Sequence, residues 1–270
     1  MMTATSTQTV LAFDELAERY DALFTNTPIG RAQRRAVWHV ARHVLKRGDR
    51  ILELNCGTGE DALYLARLGI DVVACDASEA MIAMAQHRHE SEEPELPICF
   101  RALPTEHISE LDTPDKFDGV FSNFSGLNCV SDLEQVANDL AALTRPGAHL
   151  LICLSSRICA WELLWFLARL RPSSAVRRFS GESIAQVEGH PVHVWYPTVS
   201  QVRCAFARSF VLRDISAVGL FVPPSYAARM FAPLPQVLRM AEMTDRALCR
   251  LPLLRVVGDH VLLQFERSPA

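Results

Sequence analysis

Between residues 50 and 154 the chain alternates two hydrophobic rhythms. Short apolar runs recur at 50–54, 70–75, 98–100, 117–121 and 150–154, each bounded by polar or turn-forming residues. Runs of that length and setting read as buried strands. Between them, 61–68, 78–90 and 132–143 carry apolar residues at helical spacing. Alternating strands and helices predict an α/β fold with a mostly parallel sheet and helices on both faces. Ahead of this block, Phe13 to Phe24 has apolar positions 13, 16, 17, 20, 23 and 24, and Ala32 to Leu45 forms a second helical pattern stopped at Lys46-Arg47-Gly48. Basic residues and a glycine at that point form a helix C-terminus. Residues 1–9, polar and Thr-rich, are expected to fray.

Beyond residue 154 the alternation stops. An aromatic helix is expected from Trp161 to Phe166, then a hairpin over about 184–196 with Gly189-His190-Pro191 at its turn. Phe206 to Ile215 and Gly258 to Phe265 read as two further strands, and Pro223-Pro224 as the stop before a helix. The chain therefore divides into an N-terminal helical segment (1–48), an α/β core (49–154), an insertion after the fifth strand (155–205) and a C-terminal completion of the sheet (206–270).

The candidate chemistry gathers at the end of the first strand. Glu53-Leu54-Asn55-Cys56-Gly57-Thr58-Gly59 joins an apolar strand to a helix through a glycine-containing turn. Glycine lets the backbone bend sharply and lets a ligand approach, and the helix N-terminus presents free N–H groups. The next strand ends on Asp76, 19 residues after Gly57, where a carboxylate is placed to accept ribose hydroxyls. Two nucleotide cofactors fit. Gly57-Thr58-Gly59-Glu60-Asp61-Ala62 matches the G-x-G-x-x-G/A pattern of NAD-type sites. The same stretch also resembles motif I of the class I S-adenosylmethionine-dependent methyltransferases, E-x-G-x-G-x-G, with Glu53 as its acid and Asn55 in place of its first glycine. Asn tolerates the left-handed conformation better than most residues.

Further residues carry the same resemblance: Tyr20-Asp21 ahead of the core, Asp76-Ala77-Ser78-Glu79-Ala80-Met81 after the second strand, Phe117-Asp118 opening the fourth, and Arg145-Pro146-Gly147-Ala148 before the fifth. The resemblance covers about residues 10–154, and 206–266 only as topology. It implies a Rossmann-like, seven-stranded, mostly parallel sheet with a lid insertion after strand five, in which Phe206–Ile215 and Gly258–Phe265 form the closing antiparallel pair. It implies S-adenosylmethionine as cofactor, held by Tyr20, Glu53, Asn55, Cys56, Gly57, Thr58, Gly59, Asp76, Ala77, Met81, Ser122 and Asn123. Asn128, Trp161, Arg177 and Arg178 are the candidate acceptor-binding residues, and His190, His193 and Tyr196 the candidate bases. The family's acid near the adenine, after strand three, has no counterpart in Arg101-Ala102-Leu103-Pro104.

Composition narrows the partners. The net charge of −4 argues against general nucleic-acid binding, yet residues 155–213 hold eight arginines and three acids. Arginine suits bidentate capture of a carboxylate or phosphate, so the acceptor is expected to be a small, anionic or lipid-like molecule. Eight cysteines without C-x-x-C pairing read as free thiols of a reducing, cytoplasmic compartment, with no metal site. No apolar run is long enough for stable membrane insertion, and oligomeric state is not encoded in any visible pattern. The competing readings are an NAD(P)-dependent oxidoreductase, a protein or RNA methyltransferase, and a non-catalytic partner protein with this fold.

Overall fold

The computed structural model describes the backbone of residues 4–269 and the side chains of residues 7–269. Seven strands form one sheet: β1 Arg50–Leu54, β2 Asp71–Asp76, β3 Ile98–Ala102, β4 Phe117–Ser122, β5 Thr144–Ser155, β8 Phe210–Val218 and β9 His260–Arg267. Their order is β3-β2-β1-β4-β5-β9-β8. β1 to β5 are parallel, and β9 runs antiparallel between β5 and β8. The order reverses between β1 and β4, each a neighbour of the other. In an open α/β sheet the crevice at that point, outside the strand ends, is where ligands sit.

The pleat sorts the core. Leu52 and Leu54 of β1 face one layer, with Val73, Val120, Leu150 and Ile152, under α5 (Leu133–Leu143) and α8 (Val199–Phe206). Ile51 faces the other, with Val72, Ala74, Phe121 and Leu151, under α2 (Pro28–Val44), α3 (Glu60–Arg67) and α4 (Glu79–Glu92). Side chains alternate faces along a strand, so the next residue on the Ile51 face is Glu53, an acid inside an apolar layer.

Three expectations are corrected. Residues 1–3 lie outside the described residues, but 4–9 do not fray: they begin α1, Ala4–Tyr20. Phe206 ends a helix rather than starting a strand; Thr198 and Gln201 form the reciprocal cap that opens α8, and β8 starts at Phe210. The hairpin of β6 (Glu182–Val187) and β7 (His190–Trp195) turns at Glu188 and Gly189, both with positive φ, one residue earlier than read.

After β5 come α6 (Ala160–Leu167) and the short α7 (Pro172–Ala175). Between β8 and β9 lie α9 (Ala228–Phe231) and α10 (Pro235–Leu248); the sequence reading marked only a helix start there. These elements enclose a third, small core with Ile29, Ala32, Val222 and Leu238, against which Trp165 and Phe231 pack. The hairpin lies against α1: Arg19 pairs with Glu188 at 2.9 Å, and His190 contacts Gln8 and Glu15 at 3.1 and 3.0 Å. Two segments about 170 residues apart thus meet above the strand ends. Among the described residues no helix is long and apolar enough to cross a membrane.

Candidate functional site

The turn after β1 puts three of five residues in the left-handed region: Asn55 (φ 56°), Gly57 (φ 54°) and Gly59 (φ 78°). The two glycines are there for different reasons. A Cβ on Gly59 would lie 2.9 Å from the Ala85 Cβ and 3.3 Å from the Phe100 ring, so Gly59 lets α3 sit close to α4 and β3. A Cβ on Gly57 would meet nothing within 4 Å; its open side faces a cavity. Asn55 takes the position where a third glycine was expected, and its Oδ1 accepts the Thr105 hydroxyl at 3.2 Å.

Asp76 closes the turn from the neighbouring strand. Its Oδ2 accepts the Gly57 N–H and its Oδ1 the Ser78 N–H, both at 2.9 Å. Burial raises its pKa, against the pull of those N–H bonds. Ser78 caps α4, accepting from Met81 N–H at 3.0 Å, and donates its hydroxyl to Asp14 of α1 at 2.6 Å. On the opposite rim Thr58 donates to Asp21 at 2.7 Å, and Arg88 pairs with both Asp21 and Glu60. Asp14 of α1 and Asp21 just beyond it therefore tie the N-terminal segment to the strand-end cap at Ser78 and to the turn at Thr58.

A second polar group lies deeper. Asp61, in the first turn of α3, accepts from Arg34, from Trp38 Nε1 at 2.5 Å and from Asn123 Nδ2 at 3.1 Å. The Arg34 guanidinium lies 4.9 Å from the centroid of the Phe124 ring, and its buried Nε has no partner. Phe124 and Ser125 both have positive φ, 45° and 70°. Tyr20 stands half-buried beside this group, and desolvation pushes its hydroxyl up to about 12, so it stays protonated.

These groups line one cavity of about 360 Å³, within the range of ligand pockets. Tyr20, Asn55, Cys56, Gly57, Thr58, Asp76, Ala77, Met81 and Asn123 line it, as do Arg177, Arg178 and Tyr196. Apolar side chains line it as well: Val10 and Phe13 of α1, Val130, and Val192 and Val194 of the hairpin.

Other sequence candidates lie elsewhere. Glu53 is buried beneath the turn; Gly59 packs into α4; Ser122 is buried with an unpartnered hydroxyl. Asn128 ties the hairpin to β5, donating to the Trp195 carbonyl at 2.6 Å and accepting the Ser155 N–H at 2.9 Å. Trp161 packs on Phe231 and donates to the Phe221 carbonyl at 3.2 Å. Neither histidine lines the cavity: His190 is held by α1, and His193 stacks on Trp195 and bonds Glu182 at 2.9 Å. Of the three base candidates the structure brings Tyr196 alone to the cavity.

The arginine pair also has partners within the fold. Arg177 and Arg178 both bond Glu162, a buried carboxylate of α6, and Arg178 continues to Asp259 at 2.9 Å. Two guanidinium charges thus meet two carboxylates. Sequence reasoning missed Arg34 and Asp61. Arg34 shares a helical face with the buried Val37 and Ala41, and Asp61 with the buried Leu65. A charge standing on the apolar stripe of its helix was the signal.

The family described as "Methyltransferase domain" matches residues 51–147. A demethylmenaquinone methyltransferase of Streptomyces avermitilis is 37% identical over 144 residues, 52% of this chain and 57% of that protein. The chain thus aligns with little more than half the length of that curated relative. Among solved structures, a putative S-adenosylmethionine-dependent methyltransferase from Listeria monocytogenes superposes with a TM-score of 0.58 at 16% identity, covering 86% of this chain and 98% of that one. Geranyl diphosphate C-methyltransferase from Streptomyces coelicolor gives 0.57 at 16%, covering 86% and 78%. At such identities the two structures speak for the fold.

Proposed function

Residues 51–147 of this chain are a methyltransferase domain of the class I S-adenosylmethionine-dependent family, and from that premise we propose that the chain transfers a methyl group from S-adenosylmethionine to a small apolar molecule. The observation that carries the reading is one cavity lined by two unlike sets of groups. One set is the turn after β1 with Asp76; the other is valine and phenylalanine from α1 and the hairpin.

The residues present fit the cofactor. Gly57 leaves room where any side chain would intrude. Asp76 spends one acceptor direction per oxygen on the turn, which leaves each oxygen able to take a sugar hydroxyl. The cofactor supplies an electrophilic methyl on a sulfonium, and its leaving group departs neutral. The chain's own work is to bind, align and exclude water. Alignment of reacting groups alone is worth about 7–11 kcal/mol. Phe124, held against Arg34 and Phe24, lines the cavity together with residues of the hairpin and α1. Tyr196 is the one base candidate within reach of an acceptor there.

The acceptor proposed is lipid-like and uncharged, of the quinone type named in the curated relatives. The apolar lining supports this. The pairing of Arg177 and Arg178 with Glu162 and Asp259 removes the support for an anionic head that their charge alone suggested.

The test is ligand-dependent melting. S-adenosylmethionine or its demethylated product at about 100 times its Kd should stabilise the protein by about 2.7 kcal/mol, and labelled methyl should pass to a demethylated quinol. Stabilisation by NAD and not by S-adenosylmethionine would overturn the reading.

A further inference from the structure

Exposed large apolar side chains are not spread evenly. Among the described residues, fifteen of nineteen fall in two segments, 158–179 and 221–253, about a fifth of the chain. The segments are neighbours in space: Trp161 packs on Phe231, and Trp165, Phe231 and Leu238 share the small third core. Their helices each have a second apolar face that this core does not use. α10 turns Leu238 inward but carries Val237, Met240 and Met243 outward, the two methionines 68% and 70% exposed. α6 turns Glu162 inward and Leu164 and Leu167 outward. Patches of this kind on a folded chain mark an interaction surface.

The charges around them have one sign. The acids of the two segments are Glu162, Glu242 and Asp245. Glu162 is buried against Arg177 and Arg178, Glu242 is paired with Arg35 at 2.7 Å, and Asp245 is buried, accepting the N–H groups of residues 220–222. Outward stand Arg169, Arg171, Arg229, Arg239 and Arg246, exposed and without an acidic partner among the described residues. The whole chain is at −4, so this face opposes the sign of the molecule that carries it. Arg169 lies over the Trp165 ring at 3.4 Å.

We propose that the outward faces of α6, α9 and α10 form a docking surface for an anionic phospholipid bilayer. Leucine and methionine tips on separate helices, interleaved with guanidinium groups and backed by tryptophan, suit a headgroup layer into which apolar side chains dip while arginines meet lipid phosphates. The contact is peripheral, since no described helix can cross a bilayer. It does not depend on the acceptor proposed above, and its test involves no methyl transfer.

The full chain is sedimented with vesicles of phosphatidylcholine alone or mixed with phosphatidylglycerol, at low and high salt. Binding to the anionic vesicles, weakened by salt, is expected, and M240E/M243E should reduce it about tenfold or more. Both side chains are exposed, so the double variant should melt with the wild type and report docking rather than folding. Equal binding to both vesicles, or undiminished binding of the variant, would overturn the proposal. So would absence of vesicle binding together with a concentration-dependent dimer that M240E/M243E abolishes, which would assign the face to a second copy.

Discussion

The turn at residues 54–61 and the ion cluster of Glu162, Arg177, Arg178 and Asp259 both border the same cavity, and they are built on opposite plans. The turn works through backbone: its positive-φ residues, its N–H groups bonded to local partners, and a carboxylate on the adjacent strand that accepts the Gly57 N–H. Everything it needs lies within about 20 residues. The cluster works through side chains brought together from α6, the segment after α7 and the residue before β9, about 100 residues apart at the extremes. The first lines the cavity with Gly57, Thr58 and Asp76. The second satisfies its charges internally, so it serves the fold.

That contrast is open to attack first at Arg178. Its side chain is 9% exposed, and it bonds Glu162, Asp259 and two backbone carbonyls. R178A would leave buried carboxylates without their main partner, a loss of about 3–5 kcal/mol. Arg177 is 42% exposed and shares Glu162 with its neighbour; R177A should cost about 1 kcal/mol or less. Urea unfolding of the two variants measures the gap. Equal, small losses would show that the pair is not a structural tie and would restore it as a ligand site.

The two glycines give a sharper, smaller comparison. G59A and G57A both force alanine into a left-handed conformation, at about 1–2 kcal/mol each. G59A adds a clash with Ala85 and should melt lower; G57A adds no contact within the protein. G57A should instead weaken S-adenosylmethionine binding about tenfold or more, because its methyl occupies the ligand's side of the turn. Calorimetric titration and melting of the pair separate the two effects. If G57A binds as the wild type does, the cavity's ligand does not touch the turn.

What could be read beforehand follows the same division. The β1 turn, the Asp76 strand end and the sheet from 50 to 154 were legible because their signals are local: an apolar run, glycines, an N-cap, an acid at a fixed distance. The assembly of α1 with the β6–β7 hairpin was not, because Arg19–Glu188 and His190–Glu15 pair residues about 170 apart. The arginines after residue 155 were counted correctly and their surplus was real, but a count carries no direction. Glu162 lies in an aromatic run where its burial between two guanidinium groups leaves no periodic trace. Helix α10 has apolar positions at helical spacing, a local signal of the same kind that the reading left unused beyond the helix start it marked at Pro223-Pro224.

Glu53 supplies the finest probe of the turn, read as a dependence on pH. It stands on the Ile51 face of β1, fully enclosed, with Oε2 unpartnered. Burial, joined by the charge of Asp61 and only partly offset by Arg34, holds its pKa well above the ordinary carboxylate value. In the unfolded chain it ionises near about 4.3. Below that pH both states are protonated and Glu53 adds no pH dependence. Above it the unfolded chain releases a proton that the folded one keeps, so the folded state loses stability as pH rises toward the raised value. Glutamine has the same shape and no proton to lose. The melting temperature of E53Q minus that of the wild type should therefore be smallest near pH 4 and become more positive toward pH 7. A difference that stays flat across that range would mean the acid ionises normally in place, with a cationic partner beneath the turn that its unpaired oxygen does not have here.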